Sequence, residues 1–324
     1  KQASGDGDVE GSQKTFGEIP PIGAGSRFMW IPQRGALRAG EVSDTRWDDL
    51  YVGSNSVALG YNARAWDQSI AIGRGAEAGG VSYSNTTDLN NPAINYQKAK
   101  SIAIGDNVVN KGKESIAIGV NIAHNTSLSS GYAANKNISL GIDITNNSRT
   151  QAIGIGQLVS VSNTYDLAIG YDVSTTGAAY DGAVAVGVRG TQSTRGSVAI
   201  GYNARSSNYH GVSIGRNTSS QVSNVAIGLN ANAVQSGAAA IGVSVSTGNY
   251  GVSIGSNQTT GSQGVSIGKY NDTSTDAVSV GSTNSASRGG VAIGRNTRAE
   301  RDSVAIGKNI RTSSYSSVSI GMNN

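Results

Sequence analysis

His124 and His210 are the only imidazoles in this 324-residue chain, and no cysteine accompanies them. They fall in separate segments, so the Cys/His spacing of a zinc site is missing, and neither a metal nor a cofactor is expected. Serine chemistry finds little footing either. No Gly-x-Ser-x-Gly elbow is present. Ser56, Ser69, Ser101, Ser115, Ser197, Ser303 and Ser317 each stand before Val or Ile and read as small hydrogen-bonding surface residues. Paired carboxylates could cleave a glycosidic bond, but the 21 acids are scattered, as at Asp166, Asp172, Asp181, Asp272 and Asp276. No catalytic residue is assigned, and the chain is not expected to be an enzyme.

Cations are better ordered. Arg74, Arg216, Lys269, Arg295 and Lys308 directly follow a glycine, while Arg64, Arg205, Arg298 and Arg311 lie four residues after one. If successive segments stack, Arg295 lies over Lys308 and Arg298 over Arg311. These four then form a basic strip suited to acidic glycans or lipopolysaccharide phosphates. Glu300 and Asp302 are near enough in sequence to neutralise it, which leaves a plain solvated surface as the alternative. A net charge of +4 with few interleaved aromatics is a weak footprint for nucleic acid, and no such partner is expected.

The elements that carry these residues are written in one recurring phrase. "SVAIGKN" at 303–309 returns as "SVAIGYN" at 197–203, "GVSIGRN" at 211–217 and "NVAIGLN" at 224–230. Its glycines in the second half, Gly201, Gly215, Gly228, Gly242, Gly255, Gly268, Gly281, Gly294, Gly307 and Gly321, are 13 or 14 residues apart. That period is too short for a helical repeat and suits one coil of a β-solenoid. Val304 and Ile306 share one strand face, and Ser303 and Ala305 the other. Gly307 and Asn309 then supply a turn. Pairs such as Ala63 and Ala65, or Thr297 and Ala299, mark a second short strand. The fold class expected is all-β: a solenoid of 13–14-residue coils, each strand, turn, strand, turn, stacked so that a Val/Ile column runs through the sheet. About seventeen or eighteen coils between Gly60 and Gly321 would span on the order of 80 Å at the strand spacing.

With 45 glycines but only two Phe and two Met, the chain has little material for a wide core. The face carrying Ala, Ser and Gly buries well only against another backbone. Either that backbone is a further copy of the chain, most simply in a three-fold bundle, or the protein is a monomeric solenoid with a solvated small-residue face. No apolar run reaches the length of a membrane helix, and the first residues do not read as a signal peptide.

Residues 1–15 read as a polar, flexible leader. Residues 16–50 hold three of the four prolines, both phenylalanines and two of the three tryptophans, and read as a collar closing the first coil. Residues 51–324 are the repeats. They are interrupted where Gly73 and Gly105 stand 32 apart; a loop at about 76–100, bearing Tyr83 and Tyr96, is expected to leave the scaffold there, and those tyrosines join the candidate receptor or glycan contacts. From about 120 to 190 the rhythm loosens, and these segments read as the same coils with turns of varying length.

The phrases "NSVALGYNARA" at 55–65, "SVAIGYNARS" at 197–206 and "GVAIGRNTRA" at 290–299 resemble the head repeats of YadA-like trimeric adhesins, over roughly 51–324. That resemblance implies a left-handed parallel β-roll, three chains bundled or intertwined as a homotrimer, and an extracellular head that binds a cell-surface receptor: a glycan, lipopolysaccharide or a matrix protein. The segment 27–60, with "MWIPQRGALRAG" and "WDD", is similar to the lead-in of phage tail-fibre proteins. It implies a fibre joined to other fibre or particle proteins and a place on a virion. The coiled-coil stalk and membrane barrel of a complete autotransporter are missing, as is a C-terminal chaperone domain, which fits a cleaved or truncated head. A rigid spacer carrying a separate receptor-binding tip is the remaining alternative.

Overall fold

A computed structural model describes residues 23–48, 51–79, 100–124, 136–148, 150–177 and 182–323. The leader at 1–15, the beginning of the collar, and Tyr83 and Tyr96 lie outside these residues. The chain divides into two compact units, Lys1–Lys136 and Asn137–Asn324, and both are built of parallel coils.

The described part of the first unit opens on a hairpin. Gly25–Ile31 pairs antiparallel with Ala36–Val42, joined by a single 3-10 turn at Pro32–Arg34 that ends on Gly35 in the left-handed conformation. The second hairpin strand then runs parallel to Val57–Tyr61, with Gly40 beside Gly60. The segment "LRAG" at 37–40 is therefore already a rung of the ladder, one coil before the first repeat phrase, "SVALG" at 56–60. Ile70–Ile72 pairs directly with Ile102–Ile104, so the coils close over the long insertion. Glu77–Ala78 still belongs to the roll, between Arg64–Ala65 and Val109–Asn110. Residues 76–79, expected at the start of a loop, belong instead to the roll, and residues 80–99 of that expected loop lie outside the described residues.

In the second unit the glycines Gly141, Gly156, Gly170, Gly187, Gly201 and Gly215 pair in register from coil to coil. Those from Gly228 to Gly321 continue the same series. The looser segments at 138–146, 153–161, 167–176 and 184–194 are coils of this stack. The ladder explains its own glycines. At Gly294 the backbone sits at φ 130°, and a Cβ there would overlap the carbonyl oxygen of Gly307 on the next coil. Any side chain would meet both the strained conformation and a backbone that has nowhere to move.

Each coil has two left-handed corners. One lies two residues past the glycine, as expected, at Asn203, Asn217, Asn230, Asn296 and Asn309 with φ between 50° and 55°. Their amides form a surface ladder: Asn203 donates to Asn217 at 3.2 Å, Asn217 to Asn230 at 3.2 Å and Asn296 to Asn309 at 3.0 Å. The other lies just before the strand, at residues as varied as His210, Ser223, Tyr250, Asp276 and Asp302.

The two strand faces are disposed opposite to expectation. Ala292 and Ala305 are buried, facing Ala286, Ala299 and Ile310 inside the coil. A second cluster of Ala226, Ala231, Ala233, Ala238, Ala240 and Val245 repeats the pattern. Val304 and Ile306 point outward and are only half-buried. Small residues therefore make the core of the single chain and do not await another copy; the Val/Ile column lies outside. The first strand turns Ala or Ser inward, while the second strand's inward positions also take larger side chains such as Val245 and Ile310.

The serines before Val or Ile are corrected in the same way. Ser56, Ser69, Ser101, Ser115, Ser197 and Ser303 are interior residues, and only Ser317 is half-buried. Ser303 Oγ donates to the Ser314 carbonyl at 2.9 Å, so the hydroxyl is satisfied inside.

Candidate functional site

The basic strip is built by the register of the last coils. Arg295 pairs with Lys308 along the first strands, and Arg298 bridges to Arg311 along the second. All four are exposed. The two rows differ in charge balance. Glu300 lies 3.1 Å from Arg298 and 3.9 Å from Arg311, so one carboxylate serves both guanidinia. Asp302 pairs instead with Arg301 at 3.4 Å. Among the described residues no carboxylate lies within ion-pair distance of Arg295 or Lys308. Stacking thus brings the four cations together as two parallel rows, one neutralised in part and one free to meet an anion.

The other chemistry-bearing side chains are structural. His124 is buried, with Nδ1 2.9 Å from Asn110 Oδ1, and burial lowers its pKa to about 4. A ring held neutral inside a coil is a packing residue. His210 occupies a left-handed corner beside Tyr209. Asp166 accepts from the Asn163 amide at 3.0 Å and from the Ala183 amide at 2.8 Å, tying neighbouring coils together. Burial raises its pKa, and those hydrogen bonds oppose the shift. No group of three or more His, Asp or Glu is placed to hold a metal among the described residues.

Two features of the hairpin end were not legible in the sequence. Arg38, on the second hairpin strand, is fully buried, and its guanidinium donates to the Ser56 carbonyl at 3.2 Å, to Ser56 Oγ at 2.9 Å and to the Ala65 carbonyl at 3.1 Å. Burial, then the nearby Arg34, lowers its pKa to about 10, so it stays charged at neutral pH. Nearby, a shallow cavity of about 190 Å³ is lined by Asp44, Thr45, Arg46, Tyr51 and Arg64. Arg64 lies over the rings of Trp66 and Tyr51, at 4.2 and 4.9 Å, and Arg46 pairs with Asp44 at 2.8 Å. The only sequence signal for either feature is the clustering of Arg and aromatic residues just before and within the first repeat.

A stack of short parallel coils with a glycine ladder, alanine interior and outward Val/Ile face defines a parallel β-solenoid. Within it, residues 52–76 and 195–218 each match the YadA head domain repeat, so the chain carries YadA head repeats in both units. That repeat is the building block of surface-exposed, structural adhesin heads. No curated protein matches the chain.

Proposed function

We infer that this chain is a trimeric, extracellular fibre segment or adhesin head that attaches to a cell-surface receptor, most naturally a glycan. The observation that carries the reading is the outward Val/Ile column. Ile200, Ile254 and Ile267 are 37, 39 and 41% exposed, and they recur in register along coils whose family repeat belongs to trimeric heads. Apolar side chains repeated on one face of a rigid sheet favour burial against further copies. The Val/Ile face, and not the small-residue face, is then the surface on which three chains meet.

The exposed corners and the strip of Arg295, Arg298, Lys308 and Arg311 remain for the receptor. Similarity of residues 27–60 to fibre lead-ins favours a virion tail fibre over a bacterial surface head. The test has two parts. Light scattering of the purified chain should return three times the monomer mass of 32.9 kDa; a monomer mass overturns the trimer. Labelled trimer should bind cells and lose most of that binding when the four cations are replaced by Ser. A trimer that binds no cells is a spacer, and binding unchanged by the four substitutions removes the strip.

A further inference from the structure

The least balanced charge on the second unit is not at its end. From Gly182 to Asn271 the sequence contains no Asp or Glu, yet it carries Arg189, Arg195, Arg205, Arg216 and Lys269. Three of these cations converge on one corner. Tyr202 directly follows the ladder glycine Gly201, and the guanidinium carbons of Arg189 and Arg216 lie 5.9 and 5.3 Å from its ring centroid. Arg189 Nη1 also donates to Tyr202 Oη at 3.3 Å. Arg205 Nε donates to Asn203 Oδ1 at 3.1 Å. Arg189, Arg205 and Arg216 are exposed, and none has an ion-pair partner among the described residues. Asp172, on the corner before Arg189, makes no ion pair with it.

Arg189 stands two residues past Gly187, the left-handed corner position that Asp172, Asn203 and Asn217 hold on neighbouring coils. This corner is also irregular. Tyr171 pairs with Val188 but Val173 pairs with Thr191, so the coil carries one extra residue after Arg189, and Gly190 follows it at φ 76°. Tyr202 receives the Arg189 guanidinium through its ring and hydroxyl. The three charges lie on successive coils at different points of the turn: Arg189 two residues past Gly187, Arg205 four past Gly201 and Arg216 one past Gly215. Like charges gathered around one corner repel, and a linear ligand with repeating anionic groups would relieve the repulsion.

We propose that Arg189, Arg205 and Arg216, arrayed around Tyr202, form a binding site for an acidic polysaccharide whose carboxylate or sulfate groups pair with successive guanidinia. The site is separate from the strip at Arg295–Arg311 and does not depend on it. Two guanidinia engage the Tyr202 ring, so the corner offers no free aromatic face for a nucleobase, which favours a glycan over single-stranded nucleic acid.

Binding of the full chain to immobilised polygalacturonate, dextran sulfate, neutral dextran and an oligodeoxythymidine tests the proposal at low and moderate salt. Polygalacturonate or dextran sulfate should bind, more weakly as salt rises, and neutral dextran should not. Which of the two binds better identifies the anionic group. The triple variant Arg189→Gln, Arg205→Gln, Arg216→Gln should bind at least about tenfold more weakly with solution mass and circular dichroism unchanged. Lys100→Gln, Lys136→Gln, Arg288→Gln, three exposed cations outside both basic sites whose loss removes the same net charge, should bind like the parent. Equal losses in the two variants, no loss in the first, or oligodeoxythymidine binding as tight as that of the glycans would each overturn the proposal. None of these readings depends on cell attachment or on the number of chains in the fibre.

Discussion

His124 shows what an ionisable side chain undergoes inside so thin a roll. Its ordinary value is 6.5 and burial takes it to about 4. Between those values the unfolded chain binds a proton that the folded chain does not. Stability is therefore full above pH 6.5, falls as the pH drops towards 4, and loses no more from this residue below that. The loss amounts to about 3 kcal/mol at most. Denaturant unfolding of the parent at pH 7 and pH 4.5 should show the drop, and His124→Gln should flatten it. An equal drop in the variant would assign the acid sensitivity to the carboxylates instead.

Among the elements, the hairpin at 25–42 differs from every coil after it. Its antiparallel partner strand shields one end of the parallel ladder, and Trp47 follows as a fully buried side chain whose Nε1 donates to the Ala63 carbonyl at 2.8 Å. With Arg38 buried in the coil beneath, the parallel ladder ends at this antiparallel strand. Trp47→Ala should remove about 3–5 kcal/mol of local stability. Hydrogen exchange should report it as faster exchange of amides in Val57–Tyr61 and Ile70–Ile72, with amides beyond Asn137 unaffected, because coils support their neighbours first. Unchanged protection at 57–72 would mean that the hairpin does not cap the stack.

For the whole molecule, the decisive surface is the outward Val/Ile face. Ile254 and Ile267 stand on neighbouring coils and point away from the alanine interior. Ile254→Asp with Ile267→Asp leaves every interior contact in place and sets like charges where copies of the chain would meet. The expected result is a folded β-protein, by circular dichroism, with a monomer's mass by light scattering. If the parent returns the proposed trimer mass and the variant keeps it, the copies associate through another face.

Much was legible from spacing alone. The glycine ruler set the coil length, Asn after Gly marked one corner, and alternation in "SVAIG" marked a strand with two unlike faces; the structure shows all three. The stacking of Arg295 on Lys308 and of Arg298 on Arg311 followed from the same ruler. The second corner was not legible by residue type, because His210, Tyr250, Asp276 and Asp302 share no chemistry and are held left-handed by their neighbours. Arg38 was hidden because an arginine on a strand ordinarily faces water. Arg189 stands at the regular corner position two past Gly187, but its turn onto the Tyr202 ring of the next coil was set by the side-chain packing. Above all, alternation says that a strand has two faces without saying which is inside. The tertiary structure decided that: the first strand of each coil turns Ala and Ser inward against the second strand, whose inward positions take the larger Val245 and Ile310 as well as Ala, and so leaves the first strand's Val/Ile column outward.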